Sequence, residues 1–429
     1  MTYPQRRLVI VVRADPVICG HSGEARNLAE VALTRGYDDV RLLTWPISTL
    51  QAAGLPLKPL DRLLPYSAGI TVERPPPVGD YRVPDGRHLA GLTGRLVELL
   101  AEPVPTTCVS MYLAPHMNVV IDAVTAARAA GFAPDVRTMA KAVGSDVTNV
   151  IRSCLREERF GAATVLFTTF LANDDVIAVS QYTMDLIVDS AEQVDARCGT
   201  HFADECRRRI RVSYPPIDSA SYLDLDLARV DTALARRGLE RDRYVLFLSR
   251  VARAKGIFEL VTAFSHALSR RDFKLVVAGT GPALEQAQAM AEGDDRVVFL
   301  TDVDDEEKPL LMRGCAAYAL PTKPEPDFIE SFGIALAEKM LAGGGPVITT
   351  TTGGTREAVG NTAVIVEAGD VAGLTAAIDH VVLEMPEHER LSRERAARDY
   401  AMSFDRVRVF DDLFPDAVMQ LPEGTSAAM

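Results

Sequence analysis

The chain has 429 residues, with 46 Lys and Arg against 59 Asp and Glu and a formal net charge of −13. Its 48% hydrophobic content supports two packed cores of about 200 residues each. The acidic balance speaks against a nucleic-acid partner, and no run of about 18 apolar residues reads as a membrane-spanning helix.

Taken in order, Leu8–Val12 is a first strand, followed by the loop Asp15-Pro-Val-Ile-Cys-Gly-His-Ser-Gly23. Glu24 to Arg35 reads as a helix ended by Gly36, and Val40–Thr44 as a second strand. This strand–Gly loop–helix–strand opening is a nucleotide-fold unit, but it lacks G-x-G-x-x-G. Residues 45 to 104 are Pro-rich and irregular, with a helix near Leu89–Ala101. Thr106–Leu113 is the next strand, with His116 just beyond it, then a helix from Val119 to Gly131. Val136–Lys141 is a strand leading into Gly144-Ser145-Asp146. Asp175–Ser180 and Ile210–Ser213 complete six strands, with a helix opening at Tyr182. The basic run Arg207-Arg-Arg-Ile-Arg211 reads as the solvated end of a helix.

Leu225–Gly238 reads as a linker helix. Six more strands then alternate with helices: Tyr244–Ser249, Lys274–Ala278, Arg296–Leu300, Ala316–Leu320, Pro346–Thr350 and Ala363–Val366. Short loops between them give the doubly wound α/β pattern. The expected boundaries are a first domain over 1–220, a linker over 221–243, a second domain over 244–400, and a terminal helix and tail over 401–429.

The most informative stretch is Leu320–Gly354. Ser331–Leu341 reads as a helix, stopped by Gly343-Gly-Gly345 and Pro346. Glu330 precedes this helix and Glu338 lies inside it, roughly 12 Å further along the axis. Backbone N–H groups of the first turn, with Gly333 removing a side chain, favour a phosphate between the two carboxylates. That layout matches a sugar–pyrophosphate–nucleoside.

The string Glu330-Ser-Phe-Gly-Ile-(x3)-Glu338, then Met340-Leu-Ala-Gly-(x2)-Pro346-Val-Ile and Gly353-Gly354, resembles the signature of retaining glycosyltransferases of family 4, which have the GT-B fold. The resemblance implies an α/β chain of two doubly wound Rossmann-like domains facing a cleft. Strand–Ser249-Arg250-(x4)-Lys255-Gly256–helix is similar to the family's pair of cations on the donor pyrophosphate. The resemblance therefore assigns Glu330, Arg250 and Lys255 to catalysis. It places Glu338, Ser331, Phe332, Gly333, Ile334, Gly279, Gly281 and Val303 at the donor, with Gly20, Ser22 and Gly23 near its diphosphate. His116, Lys141 and Asp146 become acceptor or sugar contacts. Val143 stands where many relatives carry His before Gly-Ser-Asp, which leaves open how the sugar is held. The implied activity is metal-independent hexosyl transfer, with retention, from a UDP- or GDP-sugar; the acidity, the Ala-, Arg- and Gly-heavy composition and the lack of a basic amphipathic helix point to a small soluble acceptor in bacterial natural-product or thiol- and sugar-conjugate biosynthesis.

No cofactor or metal is expected. Asp224-Leu-Asp226 and Asp302-Val-Asp304 are short strings in an acid-rich chain, and no H-E-x-x-H spacing occurs. Gly279-Thr-Gly281 lacks the third Gly and the acid of a dinucleotide site. Cys19, Cys108, Cys154, Cys198, Cys206 and Cys315 show no C-x-x-C and read as reduced thiols of a cytoplasmic protein without a signal peptide or stable membrane association. A homodimer stays open. The alternatives are a non-catalytic nucleotide-binding partner subunit, or a sugar-nucleotide epimerase or phosphorylase on the same fold.

Overall fold

A computed structural model describes residues 5–13, 15–58, 60, 63–79, 84–326 and 328–419. The chain divides into two units, residues 1–216 with 406–429, and residues 217–405.

The first unit holds a seven-stranded sheet: β1 Arg7–Val12, β2 Asp39–Leu43, β3 Ile70–Glu73, β4 Thr106–Met111, β5 Val136–Ala142, β6 Asp175–Ala178 and β7 Ile210–Val212. All pairings are parallel, in the order β3-β2-β1-β4-β5-β6-β7. Every residue of β1 and β4 is buried, as expected for central parallel strands covered by helices on both faces. Sequence periodicity missed β3, because its four residues sit within the Pro-rich stretch. The first helix begins at Gly20 and ends at Leu33, so Gly20, Ser22 and Gly23 form its opening turn rather than a loop before it.

The second unit holds six parallel strands: β8 Tyr244–Leu248, β9 Lys274–Ala278, β10 Val297–Leu300, β11 Ala317–Leu320, β12 Val347–Thr349 and β13 Val364–Ile365. Their order is β10-β9-β8-β11-β12-β13. The expected linker is corrected. The helix Leu227–Arg236 packs on the helix Glu307–Gly314 within this unit, with Val230 and Leu234 fully buried. It is part of a core, not a spacer.

The helix Arg406–Leu413 returns to the first unit. Phe410, Leu413 and Phe414 enter the core around β1 and β2, and Arg35 forks onto Asp411 at 2.7 and 3.1 Å. Residues 420–429 of the expected tail lie outside the described residues.

In both sheets the strand order reverses beside the first strand, between β1 and β4 and between β8 and β11. Ligands of open α/β sheets bind at the carboxyl ends of strands at such reversals. These two points therefore organise the search for a site.

Candidate functional site

In the second unit, the loop leaving β8 carries Arg250 and then a single turn, Arg253–Lys255, closed by Gly256 in the left-handed region (φ 71). The loop leaving β11 folds back on itself through hydrogen bonds between Glu325 and Phe328 and delivers Glu330. Lys255 Nζ donates to Glu330 Oε2, and the two residues are only 9% and 8% exposed. Phe328 joins them to Arg250: its ring centroid lies 5.1 Å from Lys255 Nζ and 5.5 Å from the Arg250 guanidinium carbon. Arg250 is exposed, and among the described residues no acid faces it. Two cations thus share one aromatic platform, and one of them holds the carboxylate. The excess positive charge suits an anion, with Arg250 as a fork of donors and Lys255 as a point charge.

The glycine turn after β9 fixes the first of these loops. Val251 N–H donates to Thr280 O at 2.8 Å. Gly279 and Gly281 have φ of +133° and +156°, and a Cβ on them would stand 2.1 Å from Ser249 O and 2.3 Å from Val251 O. Only glycine allows that approach, so this turn sets the backbone on either side of Arg250. The second loop is pinned by Gly354 N–H, which donates to Glu330 O at 2.8 Å.

The helix after Glu330 runs from Ile334 to Ala342, three residues later than its sequence pattern predicts. Ser331 and Phe332 lie in the turn before it, Gly333 is its left-handed N-cap (φ 100), and no side chain caps it. Ile334 is half-buried. Phe332 is 2% exposed and packs edge-on against Phe404, with centroids 5.0 Å apart, so its ring is core rather than a ligand contact. Glu338 is not free: its Oε1 accepts from Lys308 Nζ at 2.7 Å. The buried Tyr222 hydroxyl hydrogen-bonds into the same pair, and burial with the Glu338 charge pushes it well above the ordinary phenol range. Glu330 and Glu338 therefore have separate cationic partners. Val303 is half-buried in the bend before the helix Glu307–Gly314. Of its neighbours, Asp302 pairs with Arg237 at 3.0 Å and Asp304 accepts from the N–H groups of Glu306 and Glu307. Asp226 caps the helix Leu227–Arg236.

In the first unit, three expected contacts are framework groups. His116 is fully buried. Its Nε2 accepts from Trp45 Nε1 at 3.1 Å, and its Nδ1–H donates to Tyr112 O at 3.3 Å. Lys141 is fully buried in an ion pair with Glu24, itself 2% exposed. Asp146, also fully buried, accepts from the backbone N–H groups of Leu113, Val143, Gly144 and Val147. None of the three presents a polar atom outward, which corrects the sequence expectation. Val143 lends only its backbone to this turn. Ser22 is buried with its N–H bonded to Cys19 O, whereas Gly20 and Gly23 are exposed.

Burial pushes the His116 pKa down to about 3. In the unfolded chain it titrates near its ordinary value of about 6.5, so between these values unfolding takes up a proton. The first unit is expected to lose up to about 1.4 kcal/mol per pH unit through His116 as pH falls through that window. Urea unfolding followed by the single tryptophan, Trp45, at pH 7 and pH 5 measures it. His116→Gln should flatten the slope by about one proton; an unchanged slope would refute the assignment.

Sequence reasoning missed Phe328, Lys308, Tyr222, Arg13, His21 and Tyr112. Only Arg13 and His21 carried a signal, through their place beside the end of the first strand.

Residues 232–398 match the family model described as glycosyl transferases group 1. The chain is 25% identical over 276 residues to the N-acetyl-alpha-D-glucosaminyl L-malate synthase of Bacillus anthracis, an alignment spanning 61% of this chain and 69% of that one. It is 26% identical over 225 residues to a D-rhamnosyltransferase of Pseudomonas aeruginosa, spanning 50% and 56%. Among solved structures, Anabaena HepE in complex with UDP-glucose superposes with a TM-score of 0.67 at 17% identity, covering 97% of this chain and 100% of that one. That last likeness concerns the fold. The matched segment contains β8 to β13, Arg250, Lys255, Glu330 and Glu338. Residues 232–398 are therefore similar to a glycosyl transferases group 1 domain, in a chain whose two Rossmann-like units have the GT-B fold.

Proposed function

We propose that the protein transfers a hexose from a nucleoside-diphosphate sugar to a small acceptor with retention of configuration and without a metal ion. The observation that carries this reading is the convergence of Arg250 and Lys255 on Phe328, with Glu330 paired to Lys255, at the β8/β11 reversal inside the segment that matches the group 1 family model. In the proposed reaction the bond between the anomeric carbon and the β-phosphate oxygen breaks, and its electrons stay on that oxygen. Arg250 and Lys255 stabilise the charge developing there, which is the work a divalent ion would otherwise do. Glu330, paired with Lys255, accepts hydrogen bonds from sugar hydroxyls. The acceptor oxygen attacks from the face being vacated, and its proton passes to the leaving phosphate. Glu338 receives the ribose hydroxyls, with Lys308 fixing its carboxylate.

A thermal-shift panel of UDP, GDP, ADP and NAD, each with and without Mg²⁺, tests the donor site. A ligand at about 100 times its Kd stabilises by roughly 2.7 kcal/mol, several degrees for a domain of this size. One diphosphate should shift the transition independently of Mg²⁺, and Glu338→Ala should abolish the shift. Lys308→Ala should weaken the same nucleotide about three- to tenfold while leaving kcat near wild type, because it acts only through Glu338 (an order-of-magnitude expectation for losing one charge-assisted bond). A shift with NAD and with no diphosphate would overturn the proposal. The L-malate in the Bacillus anthracis relative's name supports a small acceptor.

A further inference from the structure

The first unit has its own reversal point, between β1 and β4, and the proposed reaction gives no role to Arg13, His21 or Tyr112 there. Arg13 follows β1 directly, and its guanidinium carbon lies 4.8 Å from the Tyr112 ring centroid. Tyr112 follows β4 and has φ 78, a conformation that is strained for a bulky residue. Its backbone is clamped there: Tyr112 N–H donates to Lys141 O at 3.2 Å, Tyr112 O accepts from His116, and the next N–H donates to Asp146. Its hydroxyl bonds to Ser145, in the turn where Val143 departs from the family pattern. His21 lies in the first turn of the uncapped helix Gly20–Leu33, 6.0 Å from the same ring. Backbone strain therefore presents one aromatic face to a cation and an imidazole.

Two polar atoms in this group are buried without a hydrogen-bond partner among the described residues, Arg13 Nε and His21 Nε2. The acids that could have neutralised Arg13 are committed elsewhere. Glu24 is paired with Lys141, and Asp146 holds a backbone turn. Asp15 accepts from Tyr66 at 2.7 Å and from Arg74 at 3.0 Å. A purely structural arginine would be matched by one of them, because leaving a buried donor unmatched costs free energy. Burial and the Arg13 charge push the His21 pKa down to about 3, so the imidazole is neutral and can donate from Nε2 without adding charge.

We propose that Arg13, His21 and the face of Tyr112 form a subsite for an anionic group, a carboxylate or phosphate ester, on the acceptor. The helix start at Gly20 adds a favourable field for the same charge. The group would take a charge-assisted bond from Arg13 and a neutral one from His21, while the acceptor's carbon skeleton lies against Tyr112. This rests on the transferase reading above, which would leave this unit to bind the acceptor.

Calorimetry on the full chain tests it, with L-malate and glucose 6-phosphate as probes and malamide and glucose as their neutral counterparts. At least one anion should bind about tenfold or more tightly than its counterpart, and which one does so separates carboxylate from phosphate. Arg13→Ala should reduce that affinity about tenfold or more, as for a lost charge-assisted hydrogen bond. Arg13→Lys should recover part of it, and His21→Phe should lose a smaller factor. The idea is overturned if neither anion outcompetes its neutral form, or if Arg13→Ala binds as well as wild type. Affinities for UDP, GDP and ADP measured on the same samples separate the two failures: loss of anion preference with one nucleoside diphosphate still bound sinks only this subsite, whereas binding of none of the three sinks the transferase reading beneath it.

Discussion

Lys255→Ala is expected to lower kcat for sugar transfer by on the order of 10²-fold or more, and to destabilise the second unit as well. The two losses have different origins. The rate loss reflects a missing cation where negative charge develops, comparable to removing an oxyanion donor. The stability loss reflects Glu330, which is left buried without its partner; breaking such a pair from one side costs about 3–5 kcal/mol. A double variant separates the effects. Lys255→Ala with Glu330→Ala removes both charges and should regain much of the stability, while transfer stays at the level of the worse single variant or below. Denaturant midpoints and single-turnover rates on the three proteins decide it. A Lys255→Ala enzyme with wild-type kcat would remove Lys255 from the chemistry, and a double variant no more stable than the single one would show that the pair is not the source of the destabilisation.

Arg250→Ala is expected to produce a comparable rate loss, about 10²-fold, with almost no change in stability. Arg250 is exposed, lies over Phe328, and has no acid facing it among the described residues. Its loss therefore strands no buried charge, and exposed cation–π contacts are worth only about 0.5–1 kcal/mol. Arg250→Lys should recover only a little activity, because an ammonium cannot grip two phosphate oxygens as a planar guanidinium does. A large drop in melting temperature in Arg250→Ala would mean that the residue is structural. An unchanged rate in a stable protein would assign the leaving-group charge to Lys255 and the helix start at Ile334. Set against Lys255→Ala, the pair of results tells a cation held in reserve for the ligand from one that also supports the fold.

The two loops differ because their partners come from different parts of the chain. Lys255 is seventy-five residues from Glu330 in sequence, and their ion pair forms only because β8 and β11 are neighbours in the sheet. The string from Glu330 to Glu338 identifies the second carboxylate, yet its spacing could not announce Lys308 or Tyr222, which reach Glu338 from another helix and from the segment after β7. For the same reason His116 and Lys141 looked available in the sequence and are not. Trp45 and Glu24 occupy their side-chain polar atoms from segments distant in the chain, while the carbonyl of Tyr112, four residues before His116, takes its other ring nitrogen.

The sequence by itself determined what depends on near neighbours. Runs such as Leu8–Val12 and Tyr244–Leu248 are apolar on both faces, which places them in central parallel strands, and their alternation with helices makes two doubly wound sheets. The nearness of Lys255 to Glu330 was legible because loops leaving neighbouring parallel strands share one edge of a sheet. The tertiary structure decided what depends on partners far apart in sequence. It moved the helix Leu227–Arg236 from a linker into a core, returned Phe410 and Leu413 to the first unit, and found β3 where only pairing with β2 makes a strand of four residues. It also decided which charges are spent. Whether a buried cation serves the fold or a ligand depends on whether a carboxylate from another element reaches it. By that criterion Lys141 belongs to the frame, while among the described residues no carboxylate pairs with the half-buried Arg13 or the exposed Arg250.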